Sequence, residues 1–334
     1  MISGLIRTLI SPFAVGVGTR FSVQIISFIS VMVASRVLNL SEFGTYALAW
    51  ALLVVANSFI FTGYYHALLR SKNLAQDRDT YFWVLILLAL FASGMFFILG
   101  WIARLNGSDV GPILLFFIGL PLLRAPIAWN EALLFATERA RSASSYVVAG
   151  EVVAFIVLWV GLNAGLGVYA LVLARYTTSI IELVLTTALV RCLPKFQVDR
   201  TVVQRGWESA QPLWVTTGAG MFNNYGVDLM LGLFLNPAAV GAYRGGARIA
   251  QTASDLLITP LTLLSWARFS RLEKEGKADQ MATAWQEFMT VGAATIWPVM
   301  MALALLSEEI VSLVFSETWL PAAPIISILC LLRA

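Results

Sequence analysis

Apolar residues run through this chain in stretches of about 20, the length a helix needs to cross a bilayer core of about 30 Å, and short polar breaks separate them. Read in order, the stretches give ten spans at about 11–38, 41–69, 81–104, 111–137, 144–163, 167–192, 208–235, 239–267, 284–306 and 320–334. The connections 193–207 and 268–283 are the longest, and both are charged and polar. The first stretch is too long for the apolar segment of a cleavable signal peptide, so it is expected to stay as a helix. Pro121, Pro126, Pro260 and Pro298 fall inside spans, where the missing N–H frees a carbonyl and bends the helix. The expectation is an all-α polytopic membrane protein. Composition agrees: 59% of the 334 residues are hydrophobic, 12% are charged, and the mean hydropathy is +0.81.

Charge sets the orientation. With the N-terminus in the cytoplasm, 15 of the 22 Lys and Arg residues fall on the cytoplasmic side and only Arg36 and Arg104 on the other. Such an excess is the positive-inside pattern. The remaining five, Arg20, Arg124, Arg175, Arg244 and Arg248, lie inside spans. A repeat is also present. Leu38, Asn39, Gly44 and Tyr46 recur as Leu235, Asn236, Gly241 and Tyr243, each 197 residues later and each at the turn between an odd and an even span. Six spans separate the copies, so the repeat is parallel. This predicts an N-terminal lobe of six helices at 1–192, a cytoplasmic linker at 193–207, and a C-terminal lobe at 208–334 with about four helices and therefore incomplete.

Ionisable residues inside a bilayer are costly, about 2.5–3.5 kcal/mol each at a helix centre, and mark interiors or watery cavities. In the eighth span Arg244, Arg248, Gln251, Asp255 and Thr259 step by three or four and share one face. They read either as a cavity-lining cationic face or as an ion pair such as Arg248 with Asp255. Arg20, Gln24 and Ser27 repeat the pattern in the first span, with no acid between about residue 8 and Glu42. Guanidinium suits a phosphate or pyrophosphate because its planar fork donates two parallel hydrogen bonds. Arg20 and Arg248 are expected to serve one anion-binding cavity. Arg124 with Glu131, and Arg175 with Glu182, are each seven apart on one face and read as structural pairs that neighbouring helices complete. Glu151 and Asp228 have no basic residue nearby in sequence; they read either as partners for charges on other spans or, with Asp255, as candidates for ion coupling. Asn223, Asn224 and Tyr225 beside Asp228 form a polar patch suited to sugar hydroxyls. His66, the one histidine, reads as an interfacial residue rather than a proton relay.

Several classes drop out. There is no phosphate-binding Walker loop, no cluster with metal-ligand spacing and no Gly-x-Ser-x-Gly elbow. Cys192 and Cys330 form no motif. The far-side loops are too short for a catalytic domain. The chain is therefore not expected to be an enzyme, to hold a cofactor or metal, or to bind nucleic acid.

Arg36-Val37-Leu38-Asn39-Leu40-Ser41-Glu42-Phe43-Gly44-Thr45-Tyr46-Ala47-Leu48 resembles the turn after the first span of Wzx-type polysaccharide flippases. Val240-Gly241-Ala242-Tyr243-Arg244-Gly245-Gly246-Ala247-Arg248 is similar to the turn opening that family's second lobe. Ser316-Glu317-Thr318-Trp319-Leu320-Pro321-Ala322-Ala323-Pro324 resembles the stretch before its tenth span, with Ser316 in place of the usual Gly. The resemblance implies the multidrug/oligosaccharidyl-lipid/polysaccharide exporter fold, in which twelve or fourteen helices form two lobes that open alternately to each side. It implies transport of an undecaprenyl-pyrophosphate-linked oligosaccharide across the inner membrane for O-antigen, capsule or exopolysaccharide synthesis, beside a polysaccharide polymerase and co-polymerase. An ion-coupled multidrug antiporter and a non-transporting assembly partner are the alternatives.

Overall fold

The computed structural model describes residues 12–137 and 140–333, the side chains of residues 12–17, 20, 140–145, 263, 267 and 278 excepted. Helices stand at every expected span: α1 (Pro12–Ser35), α2 (Leu40–Phe61), α3 (Gly63–Leu69), α4 (Leu74–Leu105), α5 (Val110–Phe116), α6 (Gly119–Ala136), α7 (Ala140–Asn163), α8 (Val168–Val190), α9 (Arg200–Phe234), α10 (Pro237–Lys274), α11 (Ala278–Leu305), α12 (Ser307–Val314) and α13 (Ala323–Arg333), with a 3₁₀ turn at Glu317–Ala322 before the last. Among the described residues, five helical segments are long and apolar enough to cross a membrane, or six if α5 and α6 count as one bent span. α9 and α10, at 35 and 38 residues, reach beyond a single apolar stretch.

α9 begins eight residues before the expected span because Asp199 caps it. The Asp199 carboxylate accepts hydrogen bonds from Thr201 N at 2.8 Å and Thr201 Oγ1 at 2.7 Å, as an N-cap residue should. Those bonds hold its carboxyl below the usual range. The non-helical stretch is thereby shortened to 191–199.

The fourth span is bent by 40°, and the break lies at Phe117–Ile118, not at its prolines. Pro121 has no N–H for the Phe117 carbonyl four residues earlier; Leu120 N donates to it instead at 3.0 Å. The freed groups find side chains. Tyr176 Oη donates to Phe116 O at 2.6 Å and accepts from Gly119 N at 3.2 Å, while Ser93 Oγ donates to Ile118 O at 2.7 Å. A broken helix at membrane depth is tolerated when such partners exist. Pro260 and Pro298 instead sit within continuous helices.

The chain forms two compact units, residues 1–30 with 41–240, and residues 31–40 with 241–334. In the first, a core of Ile60, Tyr64, Leu68, Tyr81, Leu85, Trp129 and Val202 joins α2, α3, α4, α6 and α9. Ala125, Ala128 and Ala132 put small side chains on the core face of α6, which lets helices approach closely. Gly206 does the same for α9: a Cβ there would stand 2.6 Å from Tyr64. In the second unit, the fully buried Trp319 donates from Nε1 to Leu38 O at 3.2 Å. Ser316 Oγ reaches Ser35 O at 3.4 Å, and Arg36 Nη2 reaches Leu313 O at 2.8 Å. Gly245 packs under the same indole, with room for no side chain: a Cβ would meet Trp319 Cζ3 at 2.6 Å. Residues from all three stretches of the sequence resemblance meet at this tryptophan.

Candidate functional site

Four helices of the first unit, α2, α6, α7 and α8, enclose a cavity of about 430 Å³ whose walls carry two arginines and two glutamates. Arg124 Nη1 meets Glu182 Oε2 at 2.5 Å, and its guanidinium lies 4.3 Å over the Phe61 ring. Arg175 Nη1 meets Glu151 Oε1 at 3.3 Å; its Nε donates to Tyr46 Oη at 3.2 Å, and the group lies 4.5 Å over Trp50. Glu131, on α6 with Arg124, shares a hydrogen bond with Tyr65. Each arginine is thus neutralised by a carboxylate from another helix and backed by an aromatic face, the arrangement that keeps a charge tolerable away from water.

The pairing expected for these residues is present with exchanged partners. Arg124 takes Glu182 rather than Glu131, and Arg175 takes Glu151 rather than Glu182. Residues seven apart on a helix are separated by about 10.5 Å along its axis, and a neighbouring helix brings a carboxylate nearer. Glu151, without a basic neighbour in sequence, has Arg175 in space. Sequence reasoning missed Trp50, Asn57 and Ser58, which also line the cavity. Their signal was available: Asn57-Ser58 is a polar pair in the apolar run of α2. Asn57 Oδ1 is shielded from solvent and has no hydrogen-bond partner among the described residues. Ser58 Oγ donates to Val54 O at 2.7 Å.

The remaining sequence candidates are placed as follows. The Arg20 side chain lies outside the described residues, and Gln24 is half-buried on α1. Arg244 and Arg248 are half-buried on α10, with Nε and Nη2 of both shielded. Asp255 is half-buried further along α10, and Gln251 is exposed. Asn223 and Asn224 are exposed on α9, whereas Asp228, one turn beyond Asn224, is fully buried. A pocket of about 290 Å³ gathers His66, Arg70, Lys72 and Arg205 around Asp77. The Asp77 carboxylate accepts from Ser71 Oγ at 2.7 Å and lies 3.6 Å from Arg205 Nη2. No group of three or more His, Cys, Asp or Glu able to hold a metal occurs among the described residues.

The fold is that of a known class of transporter. A solved structure titled as the inward-facing conformation of a multidrug resistance MATE family transporter of the MOP superfamily matches with a TM-score of 0.61 at 14% identity, covering 93% of this chain and 78% of that one. No curated protein matches the chain. The sequence profile described as polysaccharide biosynthesis protein matches residues 33–324, and the chain belongs to that family. It is a multi-pass, all-α membrane protein.

Proposed function

We infer that this chain is a flippase, moving an undecaprenyl-pyrophosphate-linked oligosaccharide across the inner membrane by alternating access of two lobes, for O-antigen, capsule or exopolysaccharide synthesis. The observation that carries the reading is the polar cavity itself. A member of a polysaccharide-biosynthesis family keeps two arginines and two glutamates on the walls of a space of about 430 Å³, among helices apolar enough to span a membrane. Pockets of roughly 300–1,000 Å³ with a few convergent polar groups are the usual form of small-molecule sites. The charge asymmetry supports a cytoplasmic N-terminus. Arg20, Gln24, Arg244, Arg248 and Gln251 are assigned to the pyrophosphate, Asn224 to the glycan, and Asp228, Glu151 and Asp255 to ion coupling. A polysaccharide polymerase and co-polymerase would act beside it.

The test is glycan export by the full-length protein in cells lacking their own flippase. Arg20→Ala and Arg248→Ala are each expected to abolish export while the protein inserts normally. Lysine at either place should restore it only in part, because a point charge lacks the bidentate fork. Normal export by both alanine variants would sink the assignment. Asp228→Asn and Glu151→Gln should each weaken gradient-driven export at unchanged expression; full activity in both would place coupling elsewhere.

A further inference from the structure

The cavity of α2, α6, α7 and α8 carries cationic groups yet is badly suited to an anion. Both guanidiniums are taken, by Glu182 at 2.5 Å and Glu151 at 3.3 Å. Glu131 adds a further carboxylate close to Arg124. A diphosphate entering here would gain no net charge complementarity and would lose its hydration. The cavity is equally unlike a cage for an organic cation. The aromatic faces that such a cage needs already face cations of the protein's own, Phe61 under Arg124 and Trp50 under Arg175.

What the walls do offer is hydrogen bonding of both signs without net charge. A guanidinium has five N–H donors and a carboxylate about four acceptor sites, so a single ion pair leaves several of each. Asn57 adds an amide whose Oδ1 has no partner among the described residues; a turn about its Cβ–Cγ bond presents that oxygen to the cavity it lines. Ser58 on α2 and Ser179 on α8 add hydroxyls, that of Ser58 able to accept while it donates to Val54 O, and Leu53, Val54, Leu120 and Val147 supply apolar surface. A hydroxyl is donor and acceptor at once. The ligand that matches neutral, two-signed polar groups set in apolar walls is an uncharged sugar ring.

We propose that this cavity is the subsite for a neutral sugar of the lipid-linked glycan, with Asn57, Ser58, Ser179 and the two ion pairs contacting its hydroxyl or acetamido groups, and that it takes no part in holding the diphosphate. This rests on the flippase reading and deepens it. Glycan selectivity then draws on residues 57, 58 and 179, apart from the arginines assigned to the headgroup.

The experiment compares two soluble substrate analogues on the full-length protein in nanodiscs by native mass spectrometry: farnesyl diphosphate, and farnesyl diphosphate carrying N-acetylglucosamine, a hexose or a 6-deoxyhexose. The wild type should bind at least one glycosylated analogue about tenfold more tightly than the bare one. Asn57→Leu and Ser179→Ala should reduce that preference towards unity and leave affinity for farnesyl diphosphate unchanged; an unaltered melting temperature certifies their fold, and Asn57→Gln, which keeps the amide, should retain part of the preference. If both analogues bind equally to wild type, or if the variants lower affinity for the bare diphosphate, the sugar subsite is wrong while the flippase reading stands. If neither analogue binds, the flippase reading falls and the subsite with it.

Discussion

Glu182 is 4% exposed and is held by one guanidinium at 2.5 Å. Removing that partner leaves a carboxylate stranded, and breaking a buried pair from one side costs about 3–5 kcal/mol. The Arg124 side chain is 30% exposed, so Arg124→Ala should sit at the lower end, about 3 kcal/mol. Arg124→Leu with Glu182→Leu should recover most of the loss, since apolar replacements of similar volume are often neutral. Thermal unfolding in detergent measures both; a double variant as unstable as the single one would show that the pair is not the cause. The sequence exposed these charges as anomalies in apolar stretches and even suggested cross-helix neutralisation. Who pairs with whom depends on the rotation and depth of each helix against its neighbours, and no single helix encodes that. Asn57 and Ser58 were legible in principle and were outweighed by the more conspicuous arginines.

Among the elements, helix positions followed the apolar pattern, while helix ends followed local chemistry. α9 starts at Arg200 because Asp199 caps it, and the break between α5 and α6 falls four residues before Pro121, where the missing donor is felt. The prolines were visible in the sequence, but the side chains that make the break tolerable, Ser93 and Tyr176, come from other helices. α10 gives the sharpest element-scale prediction. Gly245→Ala would place a methyl 2.6 Å from Trp319 Cζ3, and overpacking of this kind costs about 1–3 kcal/mol. Adding Trp319→Phe, whose smaller ring withdraws from that contact, should return part of the stability despite losing the bond to Leu38 O. If Gly245→Ala melts like the wild type, the packing of α10 on this indole is looser than described.

For the whole molecule, the first expectation to check is sidedness. With the N-terminus inside, Lys274→Cys should resist a membrane-impermeant thiol reagent in intact cells, whereas Ser108→Cys should react, in a background lacking Cys192 and Cys330. The reverse pattern would invert the direction of export. The division into compact units after Val240, with residues 31–40 grouped among those of the C-terminal part, has a reason that linear reading could not supply: Leu38 and Ser35 are bound to residues 281 positions away.

That joint bears on how kinship and cargo are recorded in the chain. The family profile runs from residue 33 to residue 324 and so takes in all three stretches that meet at Trp319. The stretches that carry the resemblance thus include a mechanical fitting, a tryptophan seated over a glycine. If Asn57, Ser58 and Ser179 read the glycan, selection for a new polysaccharide can rewrite those three positions without touching the fitting. Two descendants could then look like siblings by their signature and still serve different coats.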